Sequence, residues 1–189
     1  METVLALCLG ISLSAACGLR VFVPPLVMSI AVVYGHLHLA EGFQWIGTPE
    51  AMIAFAIATL IEILAYYIPI LDNFLDAISA PIVFIAGTVM TASLFGDVDP
   101  VVRWTLGAIA GGGSAGIIAG ITNLGRLTST GMTGGLANPI LATLEVIFST
   151  LLSVLAIVTP LIAGLLVLGL LIFSASKIIQ YFAQRRYAQ

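Results

Sequence analysis

Long apolar runs separated by short polar interruptions organise this chain. The runs cover residues 4–19, 51–68, 78–95, 102–122, 139–159 and 160–176. Each is close to the ~20 residues that an apolar helix needs to cross a bilayer. After Arg20, Pro24-Pro25 breaks any continuous helix. The following stretch, 25–39, is apolar but short, so it is either a short tilted span or a re-entrant segment. Residues 40–50 form a polar loop with Trp45 as an interface anchor. Thr48-Pro49-Glu50 has the pattern of a capped helix start. The words PILDNFLD at 69–76 and GDVDP at 96–100 predict turns, and TSTGMTGGLANP at 128–139 predicts a polar loop. The expected fold is an all-α polytopic membrane protein with about six transmembrane helices, or seven if 25–39 crosses fully.

Composition narrows the class. The 189 residues are 60% hydrophobic and only 8% charged, whereas soluble domains carry about 25% charged residues. Residues 1–189 are therefore expected to be a single membrane domain whose partner is the lipid bilayer, with no nucleic acid and no cofactor. Cys8 and Cys17 lie in the first apolar run, where a disulfide framework is implausible. LSAAC at 13–17 resembles a lipoprotein cleavage box. Ser14 and the acidic Glu2 favour a retained first helix instead. Lys177, Arg185 and Arg186 make the C-terminus the most basic end, which predicts a cytoplasmic C-terminus in a bacterial inner membrane. Six spans put the N-terminus on that side too; seven put it outside.

The two halves echo one another. Gly10, Ser14 and Gly18 stand four apart before Arg20, and Gly112, Gly116 and Gly120 stand four apart before Arg126. Small residues at that spacing let helices pack closely in lipid. ATLIE ends at Glu62 and ATLE ends at Glu145, while PIVFIAG at 81–87 is matched by PLIAG at 160–164. The expectation is two inverted three-helix repeats, A at about 1–96 and B at about 101–182. Broken or re-entrant segments near the midplane are the architecture of many secondary transporters. With so few helices per chain, a homodimer is compatible, and the glycine-stepped faces either form its contacts or pack within the chain.

Glu62 and Glu145 lie inside apolar runs. A carboxylate at the bilayer centre costs about 2.5–3.5 kcal/mol, so it either faces a cavity or serves as hydrogen-bonded glue between helices. Arg20 and Arg126 beside the breaks either pair with these acids, bind an anion, or snorkel to headgroups. In the 128–138 loop, Gly131, Gly134 and Gly135 expose peptide N–H groups, and Thr128, Ser129, Thr130 and Thr133 add hydroxyls. Asn138 before Pro139 can cap the next helix, which would aim its positive end into the loop. The alternative is an ordinary cytoplasmic turn. The candidate pathway is thus Glu62, Glu145, Arg20, Arg126, Thr130, Thr133, Gly134, Gly135 and Asn138. No metal site is expected: His36 and His38 with Glu41 form only a weak pattern. Gly111–Gly116 fits GxGxxG formally, but no βαβ unit can precede it. The histidines share one loop, so no nucleophile–histidine–acid set is available and an enzyme is not expected.

GRLTSTGMTGGLANPILATLE at 125–145, with CGLRVFVPPL at 17–26, resembles an uncharacterised family of small bacterial integral-membrane proteins known by a domain of unknown function. There a TGGxxNP stretch precedes an acidic membrane helix, which corresponds here to Thr133, Gly134, Gly135, Asn138, Pro139 and Glu145. Members often carry a second acid after that glutamate; Val146 stands here. The resemblance implies no activity. The architecture points to a small transporter or channel for a small polar solute or ion, with its site between the repeats. The alternatives are a membrane scaffold or assembly protein, and a lipid-headgroup-handling protein.

Overall fold

The structure, a computed structural model, describes the backbone of residues 2–96, 98–134 and 136–187. Side chains are described over the same residues except 2, 69–70, 72–74, 76–77 and 178–187. Among the described residues there are seven helices and no strands: α1 Glu2–Cys17, α2 Val23–Val33, α3 Pro49–Ala65, α4 Pro69–Ala92, α5 Pro100–Thr133, α6 Asn138–Val158 and α7 Pro160–Tyr187. A short 3₁₀ turn, Gln44–Gly47, precedes α3. By length and composition, Pro100–Thr133, Asn138–Val158 and Pro160–Lys177 can each cross a membrane. Large apolar side chains along the outer face of α3, among them Ile57, Leu60 and Ile61, are more than half exposed, as a lipid-facing surface requires.

α1 is the central helix. Residues 9–17 are buried without interruption, the mark of a helix enclosed on all sides. Its small residues make this possible. Ser14 donates to the Gly87 carbonyl of α4 at 2.7 Å and bonds the Thr91 hydroxyl at 2.9 Å. A Cβ at Gly18 would stand 2.5 Å from the Ala115 carbonyl of α5. Gly10 and Gly18 therefore pack inside the chain. In α5, Gly107, Gly111 and Gly112 press against α4, the last against Phe84 and Thr88, whereas Gly116 and Gly120 meet nothing within 4 Å. The expected 112–116–120 stripe is thus packed only at its first member. α5 carries a π-helical turn at Gly107–Gly112, where the wider backbone coil lets Gly107 and Gly111 meet α4.

The contacts give each helix its direction. α1 runs antiparallel to α4, with Gly10 at Thr91 and Ser14 at Gly87, and parallel to α7, with Cys8 at Gly164 and Ile11 clustered with Val167. α2 then turns back: Ser29 bonds the Ile46 carbonyl, and the 34–43 loop returns to the C-terminal end of α4 through Ala40 N–H to Ser93 O. α1 and α2 therefore enter and leave at the same end of the bundle, joined by a break at 18–22 in which Gly18 and Arg20 are buried and the other three residues half-buried. α2, at 11 residues, is about 16 Å long against a core of about 30 Å. From α1 to α7 each helix reverses the direction of the one before, which is the order of the seven-segment alternative of the sequence reading. α3 to α7 then pass between the two ends in turn, so the start of α1 and the far end of α7 lie at opposite ends.

Several expectations are corrected. The break expected at Pro24-Pro25 is present but lies just before them, at 18–22, because the prolines occupy the first turn of α2, where no intrahelical N–H is required. The turn placed at 69–76 is helical, because Pro69 starts α4; the real connection is 66–68. The acidic stretch at 96–100 is a connection in which Asp99 caps α5 through Val101 N–H at 2.9 Å; Asp97 lies outside the described residues. The polar loop at 128–139 is mostly helix: α5 continues to Thr133, leaving Gly134, Leu136 and Ala137 as turn among the described residues. Thr128 and Thr133 hydroxyls bond carbonyls one turn back, at Leu124 and Ser129, so they satisfy themselves without leaving the helix. The halves also differ in arrangement. α1 and α5, which open the two repeats, run in the same direction, and no helix stands between α5 and α6 where α2 stands between α1 and α3.

Candidate functional site

Four charged side chains converge where the α1–α2 break meets α3, α5 and α6. Arg20, Glu62, Arg126 and Glu145 are 1%, 7%, 3% and 8% exposed. The break positions the first two. Gly18, Leu19 and Arg20 fold their N–H groups back onto Ser14, Ala15 and Ala16, which closes α1 tightly. Val21 and Phe22 open α2, whose first amides have no intrahelical acceptor. The Glu62 carboxylate supplies one: Val21 N–H donates to Oε1 at 2.8 Å and Phe22 N–H to Oε2 at 3.1 Å. Glu62 thus caps α2 from another helix and points at that helix's positive end.

Glu145 stands seven residues beyond Asn138 and Arg126 seven residues before Thr133, each about 10 Å along its axis from the turn between α5 and α6. The two meet side on. Arg126 Nε donates to Glu145 Oε1 at 3.0 Å, and Arg126 Nη2 donates to Oε2. Arg20 Nη2 approaches the same Oε2 at 2.9 Å and donates to the Ala142 carbonyl at 3.0 Å. Tyr66 completes the cluster: the Arg20 and Arg126 guanidinium carbons lie 3.8 and 4.4 Å from its ring centroid, a cation–π arrangement. Arg20 Nε and Nη1 are buried and have no hydrogen-bond partner.

A cavity of about 20 Å³ adjoins the cluster, lined by Glu62, Glu145, Arg126, Ser79, Thr122 and Asn123 among others. Roughly 10–15 Å³ accommodates one water. A second, almost wholly apolar cavity of about 310 Å³ lies beside it between α3 and α4 and shares Val21, Glu62, Tyr66 and Ser79 with it. The arrangement can hold a proton on a carboxylate, or hold an anion between two guanidiniums.

Of the residues singled out in the sequence, Arg20, Glu62, Arg126 and Glu145 come together; the 128–138 group does not join them. Thr130 accepts from Asn138 Nδ2 at 3.1 Å. Thr133 accepts from Ala137 N–H at 3.3 Å. Gly134, at φ +64°, is the left-handed cap that ends α5, and Gly135 lies outside the described residues. Asn138 is the first residue of α6 and makes no cap to it; its side chain staples α6 to α5 instead. The sequence reading missed Tyr66, Ser79 and Asn123. Tyr66 follows the α3 glutamate by one helical turn, which was a usable signal. No group of three His, Cys, Asp or Glu side chains stands together among the described residues.

A family model described as "Domain of unknown function (DUF4126)" matches residues 7–179, and the chain belongs to that family. No curated protein and no solved structure matches it.

Proposed function

Membership of that family assigns no activity, and we propose that the chain is a small transporter for a small polar solute or ion, with its site at Arg20, Glu62, Arg126 and Glu145. One observation carries the reading: four buried charges gather inside helices that are otherwise apolar, and three of them, Glu62, Arg126 and Glu145, line a water-sized cavity. Ionisable groups are costly at that depth, and helix packing alone is served here by Gly10, Ser14 and Gly18. The α1–α2 break adds non-helical backbone inside the bundle, which in membranes belongs beside protein or water. The bundle sits in a bacterial inner membrane with the α7 end cytoplasmic, which the basic 177–186 segment supports.

The test is reconstitution. The purified chain in liposomes should carry at least one solute from a panel of small ions under a proton gradient. Glu145→Gln and Glu62→Gln should alter that flux while remaining folded. Folded variants with every flux unchanged would remove the site from the mechanism. A second reading, lipid handling, draws on the apolar cavity between α3 and α4 that shares Glu62 and Tyr66 with the polar one. Lipid exchange between labelled vesicles, with no ion flux, would favour it.

A further inference from the structure

We propose that Glu145 is a tethered stand-in for the ligand, and that Arg20 and Arg126 form a site for a monovalent anion. This deepens the transport reading and rests on it for its setting. Donors exceed acceptors in the cluster. Two guanidiniums share one carboxylate, with Arg126 gripping both its oxygens and Arg20 the second. Arg20 Nε and Nη1, on a side chain only 1% exposed, have no acceptor at all. Glu62 does not relieve them: its carboxylate accepts from the Val21 and Phe22 amides, and Arg20 Nε and Nη1 bond neither acid. A paired fork of this kind is the geometry with which arginine holds carboxylates and other oxyanions.

Charge sets the valence. Arg20 and Arg126 against Glu62 and Glu145 sum to zero, and an uncompensated buried charge is heavily penalised. An arriving monovalent anion keeps that balance if the Glu145 carboxylate swings out and takes up one proton. The cavity that Glu145 and Arg126 both line, with Thr122, Ser79 and Asn123 as further polar groups, is the adjoining space. Movement of the anion is then coupled to a proton, and the size of the space restricts the ligand to a small ion or to the anionic group of a larger molecule.

Nitrate is the probe, since it is planar, monovalent and offers oxygen pairs. The purified full chain is titrated with potassium nitrate at constant ionic strength, by calorimetry in buffers of different ionisation enthalpy. Saturable binding is expected, with uptake of about one proton per nitrate as Glu145 is neutralised. Glu145→Gln, which carries no competing charge, should bind at least about tenfold more tightly and without proton uptake, and Arg126→Gln at least about tenfold more weakly. Saturable nitrate binding by neither the wild type nor folded Glu145→Gln overturns the proposal. So does wild-type binding without proton uptake. If Glu145→Gln does not fold, the wild-type titration decides alone. Repeating it in micelles with and without phosphatidylglycerol identifies the source: competition by that lipid assigns the site to a headgroup, and its absence to a free anion. Binding is read without flux, so nitrate bound but not carried refutes transport alone. A different solute carried with no nitrate bound refutes the anion site alone.

Discussion

Replacing Glu145 with glutamine keeps the length of the side chain and removes its charge. Two N–H groups of Arg126 donate to its carboxylate, and Arg20 Nη2 forms an ion pair with it at 2.9 Å. Hydrogen bonds to charged groups contribute about 1.5–3 kcal/mol each. The amide keeps one accepting oxygen, but its NH2 faces guanidinium donors, and two buried cations lose their counter-charge. Breaking a buried pair by removing one partner costs about 3–5 kcal/mol. For a chain of this size each kcal/mol moves Tm by about 2–4 °C, so the expected fall is about 6–20 °C. Differential scanning fluorimetry in detergent, following Trp45 and Trp104, measures it. The double variant Glu145→Gln with Arg126→Gln should recover part of the loss, since contacting residues couple by about 0.5–3 kcal/mol. A Glu145→Gln protein within about 0.5 kcal/mol of wild type, the range of an ordinary surface change, would refute the ion cluster.

Glu62→Gln is expected to be milder, about 1–2 kcal/mol, because one of the two α2 amides keeps an acceptor; thermal unfolding under the same conditions compares the two. Gly111→Val should cost about 1–3 kcal/mol, since its side chain would collide with the Gly87 carbonyl and Thr91. Gly116→Ala, with open space around it, should be neutral or stabilising by up to about 1 kcal/mol; the pair reads the register of α5 against α4. Ser14→Ala removes a bond between membrane helices and should cost about 0.6 kcal/mol, resolved by its shift in the denaturation midpoint. Tags at the two termini should label from opposite sides of sealed vesicles, because the seven helices alternate in direction; labelling from the same side would contradict that order.

The charged core of the site was legible because chemistry makes it so. Glu62 and Glu145 inside apolar runs, with Arg20 and Arg126 beside small-residue helices, are expensive placements that had to find partners. Which partner each found was not legible. The sequence left each arginine open between pairing, anion binding and snorkelling, whereas both arginines meet Glu145 and Glu62 caps α2. That outcome depends on the direction of α1, which runs parallel to α5 and brings its broken end to the same depth as Arg126. The 128–139 stretch misled for a local reason. Glycine and threonine signal loops in water, where the backbone can bond solvent. In an apolar setting, threonine hydroxyls bond back to their own helix, and α5 persists until Gly134 adopts positive φ. Pro69 was read as part of a turn, although proline in a first turn opens a helix. The direction of α2 was not legible either, and only its contacts with the 34–48 loop, Ser29 to Ile46 and Ala40 to Ser93, show that it runs back toward the start of α1.

The most direct test of the Arg20–Glu145–Arg126 site is proton movement driven by an anion gradient. Liposomes containing the purified chain and an internal pH dye are diluted into potassium nitrate, with potassium clamped by valinomycin. The account predicts that the lumen acidifies as nitrate enters with its proton, that Arg126→Gln reduces the signal to that of empty liposomes, and that Glu145→Gln passes nitrate with no pH change. A wild-type signal no larger than that of empty liposomes, or one that survives Arg126→Gln in a folded protein, would contradict it.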